Sequence, residues 1–124
     1  MTTRLLICDD SKFSRKSIIK ALPDNREFDV SETSSGNEVL STCAGGEVDL
    51  LFLDLNMPEM DGFEVLQELK NKEFRGPIIV ITANIQSSVA QRAKELGARA
   101  VVPKPIDADK LSKLVDFLAA EGAL

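Results

Sequence analysis

The chain has 124 residues, of which 44% are hydrophobic and 28% charged, and its formal net charge is −5. These values fit one globular domain over residues 1–124, and the acidic balance argues against direct nucleic-acid binding, which requires a basic footprint. No apolar run approaches the ~20 residues needed to cross a bilayer, and the apolar patch near the start is too short for a signal peptide. We therefore expect a cytoplasmic protein without a membrane partner.

The residue types present restrict the chemistry that the chain can perform. It contains no histidine, which excludes Ser-His-Asp and Cys-His catalysis and His-ligated zinc sites. Cys8 and Cys43 belong to no CxxC motif or metal-like cluster, so we expect two reduced, buried thiols. Any chemistry must therefore use carboxylates, a lysine, hydroxyl groups or a hard metal ion.

The first half of the chain alternates short strand-like runs with amphipathic segments. An apolar run predicts a strand at residues 4–8, and a period-two pattern predicts an edge strand at residues 28–31. An amphipathic segment follows each run. The predicted helices span residues 12–22, capped by Ser11 and with Ile18, Ile19 and Leu22 facing inward, and residues 36–44, ended by Gly45 and Gly46.

The second half contains two continuous apolar runs, which are typical of central parallel strands covered on both faces. These strands are predicted at residues 49–53 and 77–81, and a shorter one at 99–102. The predicted helices span residues 62–72, 86–96 and, after the capping residue Asp107, 108–120. Ile85, Val89, Ala93 and Leu96 are predicted to share the buried face of the fourth helix, and Phe63 and Phe117 are predicted to lie in the core.

Five strand–helix repeats with short connections predict an α/β fold. The expected architecture is a doubly wound, five-stranded parallel sheet with helices on both faces. In such sheets, ligands bind beyond the carboxyl ends of the strands. Polar residues fall at four of these ends, namely Asp9 and Asp10 after the first strand, Asp54 after the third, Thr82 at the fourth and Lys104 after the fifth.

Carboxylates gathered at one edge repel each other unless a cation neutralises them. An oxygen-rich site without histidine suits Mg²⁺, which accepts one or two carboxylates and keeps several waters. A metal ion and a lysine together would bind a phosphoryl group, with a threonine hydroxyl as a further donor. An ionised aspartate beside them can attack phosphorus and form an aspartyl phosphate.

These residues resemble the signature of a known family. Asp9-Asp10, Asp54-Leu-Asn-Met-Pro-Glu-Met-Asp-Gly62, Thr82-Ala83 and Lys104-Pro105 look like the motif set of the response-regulator receiver domain of two-component signalling, in order and over the whole chain. The resemblance implies the flavodoxin-like strand order 2-1-3-4-5. It also implies a phosphoacceptor, rather than a turnover enzyme, whose partner is a sensor histidine kinase or a histidine phosphotransfer protein.

The resemblance further implies a role for each matching residue. Asp54 would accept the phosphoryl group, and the Lys104–Pro105 bond would be cis. Asn56 and Asn84 either adjust the lifetime of the phosphoryl group or are plain exposed loop amides. Asp9, Asp10, Asp54 and the backbone carbonyl of Asn56 would hold Mg²⁺, or Mn²⁺ in its place, while Lys104, Thr82 and Ala83 would bind the phosphoryl oxygens.

The fifth strand departs from the pattern of the family. Val101 stands where a switch aromatic is usual, so the switch formed with Thr82 is expected to give a reduced or different readout. Arg99 and Ala100 replace acids typical of one subfamily of symmetric dimers, and Pro103 fits an edge strand only. The downstream partner or output domain would bind the fourth helix, fifth strand and fifth helix, where Arg92, Lys94 and Glu95 form either a partner surface or a solvated face.

Two other functional classes share part of this residue set. Magnesium-dependent phosphohydrolases of the haloacid-dehalogenase type also use an aspartyl nucleophile, but their nucleophile precedes the acid pair and a second acid follows it by two residues. Here the order is reversed and Asn56 replaces that acid. Flavin binding on the same fold would place a phosphate after the first strand, where Asp9 and Asp10 would repel it.

Overall fold

The computed structural model describes residues 2–124, which form five strands and five helices in strict alternation. Strands and helices follow the order expected from the hydrophobic pattern. The strands are β1 (Thr2–Cys8), β2 (Glu27–Thr33), β3 (Leu50–Leu53), β4 (Ile78–Thr82) and β5 (Ala100–Pro103). The helices are α1 (Lys12–Ala21), α2 (Gly36–Ala44), α3 (Gly62–Asn71), α4 (Ser87–Glu95) and α5 (Ala108–Ala120).

All five strands are parallel and their order in the sheet is β2-β1-β3-β4-β5, which confirms the predicted fold. The central strand β3 is buried along its whole length, as its apolar sequence predicted. The register pairs Cys8 with Leu53 and Leu53 with Val80. The residues that follow β1 and β3 therefore emerge side by side at one edge of the sheet.

Side chains of β3 alternate between two hydrophobic clusters on opposite faces of the sheet. Leu51 and Leu53 belong to the cluster covered by α2, α3 and α4, which we call the front cluster. Leu50 and Phe52 belong to the rear cluster, covered by α1 and α5. Asp54 lies two residues beyond Phe52 and so continues the rear face of the strand, which borders α1 and α5.

Side-chain caps begin four of the five helices. Ser11, Ser35, Asp61 and Asp107 each accept a hydrogen bond from a backbone N–H of the first turn, which satisfies a donor that the helix itself leaves free. Within residues 2–124, α4 is the exception, because Gln86 makes no such bond and Ala93 is the one buried residue of the helix. Helix α4 is thus the least firmly anchored helix.

Two residues that were predicted to be buried, one aliphatic and one aromatic, are exposed. Ile85 is 65% exposed, because α4 begins at Ser87 and Ile85 precedes the helix whose face it was predicted to share. Phe117 is 55% exposed, since each helical residue turns by roughly 100° and Phe117 falls off the stripe formed by Leu111, Val115 and Leu118. Phe63, by contrast, packs against the front cluster.

A charged side chain of helix α4 packs on an aromatic ring of α3. The guanidinium carbon of Arg92 lies 4.1 Å from the centroid of the Phe63 ring, which is a cation–π arrangement. Arg92 is therefore not part of a purely solvated face.

No helix in residues 2–124 is long and apolar enough to cross a membrane.

Candidate functional site

An open cleft of about 480 Å³ lies at the carboxyl edge of the sheet. Its position follows from the fold, because β1, β3 and β5 end here and each is followed by a polar residue. The cleft is lined by the predicted residues Asp9, Asp10, Asp54, Asn56, Ala83 and Lys104, together with Ser11, Met57 and Pro58. The sequence therefore located most of the candidate site.

Three carboxylates converge in the cleft. Asp9, Asp10 and Asp54 each offer one oxygen, and these oxygens lie within 4.8 Å of one another. Asp9 is 1% and Asp54 6% exposed, whereas Asp10 is open to solvent. Buried carboxylates at such distances need a positive partner, because both burial and mutual repulsion disfavour their charged forms.

Lys104 supplies positive charge inside the cleft. Its Nζ lies 2.7 Å from Asp9 Oδ2 and 3.0 Å from Asp54 Oδ2. Burial opposes the charge of Lys104, but hydrogen bonds to both aspartates outweigh it and raise the pKa of the ammonium group. The Lys104–Pro105 peptide bond is cis, as the family resemblance implied.

The electrostatic environment of Asp54 differs from that of an ordinary surface aspartate. Burial raises the pKa of its carboxyl group, and two hydrogen bonds partly offset this effect. One comes from the backbone N–H of Asn56 to Oδ1 at 3.1 Å, and the other from Lys104 to Oδ2. Both oxygens of Asp54 are thus oriented, which is what a positioned nucleophile or metal ligand requires.

The cleft residues fit a divalent cation. Three carboxylates face the single ammonium of Lys104, so two negative charges remain uncompensated. All the available donor atoms are hard oxygens, and Mg²⁺ prefers such ligands. The acidic cluster can therefore hold a metal ion of this type.

The residues predicted around the phosphoryl group are only partly brought together. Ala83 lines the cleft, but Thr82 does not; it is 1% exposed and its hydroxyl accepts a hydrogen bond from the backbone N–H of Asn84 at 3.2 Å. Asn84 is exposed, and its side-chain oxygen accepts a bond from the N–H of Gln86. Val101 is partly buried against the front cluster.

Besides the cleft-lining residues Ser11, Met57 and Pro58, sequence reasoning missed a residue that holds the backbone of the site from outside the cleft. Arg15 of α1 donates from Nη1 to the backbone carbonyl of Asp9 at 2.6 Å and from Nε to Glu32 at 2.9 Å. A signal was present, because Arg15 precedes Ile18 by three residues and so places a charge on the inward stripe of α1. The contact itself depends on how the end of β1, helix α1 and strand β2 pack against one another.

The loop after Asp54 is closed by a tight backbone contact at Gly62. The Gly62 N–H donates to the Leu55 carbonyl at 2.9 Å. A Cβ on Gly62 would lie 2.5 Å from Leu55 Cα and 2.9 Å from the Asp54 carbonyl oxygen, closer than atoms of these types approach. The first turn of α3 is therefore packed directly on the backbone of the acceptor position.

We expect Gly62→Ala to destabilise the chain by about 2 kcal/mol, because the clash is with backbone atoms that cannot rotate away. Urea unfolding followed by far-ultraviolet circular dichroism measures the change. The matched control is Gly45→Ala, where φ is −73° and the nearest atom would be 3.4 Å away, so stability should be unchanged or slightly higher. Equal effects of the two substitutions would contradict the packing described here.

A parallel 2-1-3-4-5 sheet with an acid pair, a central aspartate and a lysine at its carboxyl edge defines a phosphoacceptor domain of the receiver class. The family model of the response regulator receiver domain matches residues 5–116, and the chain belongs to this family. It is accordingly a receiver domain of two-component signal transduction.

Relatives and solved structures agree with this assignment. The chemotaxis protein CheY of Bacillus subtilis is 33% identical over 116 residues, which cover 94% of this chain and 97% of CheY. The regulatory protein AtoC of Escherichia coli is 34% identical over 112 residues, which cover 90% of this chain but 24% of AtoC. The receiver domain of AraT, a response regulator from Geobacillus stearothermophilus, matches with a TM-score of 0.83 at 31% identity, covering 98% of this chain and 95% of that one.

Proposed function

We propose that Asp54 accepts a phosphoryl group from the phosphohistidine of a sensor kinase or of a histidine phosphotransfer protein. A carboxylate oxygen of Asp54 attacks phosphorus, the phosphorus–nitrogen bond breaks, and the imidazole leaves with its electron pair. The observation that carries this proposal is the placement of Lys104, 3.0 Å from Asp54 and 2.7 Å from Asp9 in the acidic cleft. This contact puts a cation beside the reacting oxygens.

Asp9, Asp10 and Asp54, with the backbone carbonyl of Asn56, would hold Mg²⁺, and Mn²⁺ could replace it because both ions accept oxygen ligands. When bound, the divalent cation neutralises charge on the phosphoryl oxygens and orients them for in-line attack. The two uncompensated negative charges of the cleft support this role. Asp10, being exposed, can ligate the ion without losing an existing buried contact.

The remaining residues act on the phosphoryl group once it is on Asp54. Lys104 exchanges its bond with the Asp54 carboxylate for one with a phosphoryl oxygen, and the Ala83 N–H donates a second bond. Thr82 reaches the group by releasing the N–H of Asn84, so its rotation displaces the chain that leads into α4. Asn56 lines the cleft and Asn84 follows the lining residue Ala83, and both influence the approach of the water that removes the phosphoryl group.

The output surface in this proposal consists of α4, β5 and α5. Arg99 at the start of β5 pairs with Glu121 at the end of α5, so these two elements are linked, whereas α4 is weakly anchored. Val101 has no aromatic ring. Transmission of the signal from Asp54 to the output surface therefore depends on Thr82 and α4 rather than on the movement of an aromatic side chain. The partner is a cytoplasmic protein or an output domain, and residues 1–124 act as one switch unit without catalytic turnover of a separate substrate.

The test of this proposal is incubation of the chain with a small acyl phosphate and Mg²⁺, followed by intact-mass measurement. One phosphate should be added per chain, and chelation of the metal should suppress the reaction. A second candidate function, the aspartyl-nucleophile phosphohydrolase, is favoured by the same cluster of Asp54, Lys104 and acids. Continuous release of phosphate from phosphate esters, without an adduct, would support the hydrolase and overturn the receiver mechanism.

A further inference from the structure

We propose that Arg15 is a positioning residue for the metal site, because it fixes the peptide that joins Asp9 to Asp10. The inference rests on the proposed function, since it concerns the carboxylates that would hold Mg²⁺. Arg15 does not line the cleft and would not contact the ion. It acts through the backbone of Asp9 and Asp10, whose side chains are the proposed metal ligands.

Arg15 is held firmly and is largely shielded from solvent. Its side chain is 15% exposed, Nη1 donates to the Asp9 carbonyl at 2.6 Å and Nε donates to Glu32 Oε1 at 2.9 Å. Hydrogen bonds from Arg15 and Lys16 lower the pKa of Glu32, which keeps that carboxylate charged. The guanidinium therefore bridges the end of β1, strand β2 and α1, and its two donors point in fixed directions.

The peptide geometry makes this contact relevant to Asp10. The Asp9 carbonyl and the Asp10 N–H belong to one planar peptide unit. The direction of the carbonyl therefore fixes the position of the Asp10 Cα, from which the side chain extends. The rest of Asp9 is fixed independently, by its N–H to the Thr33 carbonyl at 3.1 Å and by its carboxylate to Ser11 and Lys104. The bond from Ser11 spans the Asp9–Asp10 peptide, and Arg15 is the group that holds the carbonyl of this peptide directly.

Asp10 depends on this support more than its neighbours do. Its carboxylate is exposed, and among residues 2–124 no side-chain or backbone donor holds it. Asp9 and Asp54 are each fixed by Lys104, but Asp10 is placed by its backbone alone. A change in the Asp9–Asp10 peptide would thus move one of the three metal-binding carboxylates relative to the other two.

Lys16 provides a matched control for the charge of Arg15. It lies next to Arg15, carries the same charge and pairs with the same carboxylate, 3.2 Å from Glu32 Oε2. It makes no contact with the Asp9 backbone. Like the loss of Arg15, the loss of Lys16 removes one positive charge and one ion pair with Glu32. Unlike the loss of Arg15, it leaves the hydrogen bond to the Asp9 carbonyl in place.

The experiment compares Mg²⁺ affinity, by isothermal titration calorimetry, in the wild type and in Arg15→Ala, Arg15→Lys and Lys16→Ala. Arg15→Ala should bind Mg²⁺ about tenfold more weakly, a typical effect of removing a group that orients metal ligands. Lys16→Ala should stay within about twofold of the wild type, as expected for an exposed ion pair. Arg15→Lys should recover only part of the loss, because one ammonium cannot reproduce both directed bonds.

A second readout needs no metal. The Asp10 amide resonance in ¹⁵N-resolved spectra of the metal-free protein should shift in Arg15→Ala and remain in place in Lys16→Ala. If Arg15→Ala does not fold, Glu32→Gln replaces it, since that variant keeps Arg15 but weakens its anchor and should reduce Mg²⁺ affinity by at most about tenfold, the lower end of the range for groups that orient metal ligands.

Equal Mg²⁺ affinity of the Arg15 and Lys16 variants, or an unmoved Asp10 amide, would overturn the positioning role. If the wild type failed to bind Mg²⁺, both the proposed function and the positioning role of Arg15 would be contradicted. The two failures are distinguished by the wild-type titration alone.

Discussion

Asp54→Asn will not be phosphorylated by a small acyl phosphate in the presence of Mg²⁺. The substitution replaces the attacking carboxylate oxygen with an amide that is not nucleophilic, while the shape of the side chain and the acceptor for the Asn56 N–H are retained. The wild type should gain one phosphate and the variant none, as measured by intact mass. The loss is expected to be complete because Asp54 is the proposed acceptor.

The control for this result is Glu59→Gln, which removes one negative charge from the same loop at an exposed position outside the cleft. It should be phosphorylated like the wild type. An adduct of equal yield on Asp54→Asn would show that another carboxylate is the acceptor, and would contradict the role proposed for Asp54. Unchanged circular dichroism would verify that the variant is folded.

Lys104→Met will destabilise the metal-free domain by about 3 kcal/mol. The substitution leaves the buried carboxylates of Asp9 and Asp54 without their shared cation, and an uncompensated buried charge is costly. A quarter of the Lys104 side chain is exposed, so the effect should fall at the lower end of the range for buried pairs. Urea unfolding followed by circular dichroism measures it.

The matched substitution is Lys113→Met, which removes a lysine from the exposed side of α5 and should change stability by less than about 0.5 kcal/mol. Added Mg²⁺ should restore part of the stability lost in Lys104→Met, because a ligand that binds only the folded state stabilises it. A Lys104 variant as stable as the control would contradict the charge balance described for the cleft.

The fold was predictable because hydrophobic periodicity specifies element type and order. The residues at which strands begin and end were harder to predict, because strand boundaries depend on pairing with the neighbouring strand. β1 and β2 were predicted to begin at residues 4 and 28, but they begin at Thr2 and Glu27, which pair with each other across the sheet. A local pattern cannot show such a pairing, because the polar character of both residues resembles that of a loop.

The candidate site was predictable to the extent that strand ends define it. Asp9, Asp10, Asp54 and Lys104 lie together because parallel strands deliver their carboxyl ends to one edge. Arg15 was not predictable in this way, because its role depends on the direction of one backbone carbonyl. Thr82 is buried as the last residue of β4, a strand buried along its whole length, whereas the sequence indicated only that it lies at the end of that strand.

The weak anchoring of α4 bears on how much free energy a signal at the cleft must provide. Elements with few buried contacts open locally at far lower free energy than the whole domain, and amide exchange reports such opening. With a single fully buried residue and no side-chain cap, α4 belongs to this class. In the proposed switch, a small difference in binding free energy at the carboxyl edge can therefore shift the population of α4 conformers without disturbing the rear cluster, to which α4 contributes no residue.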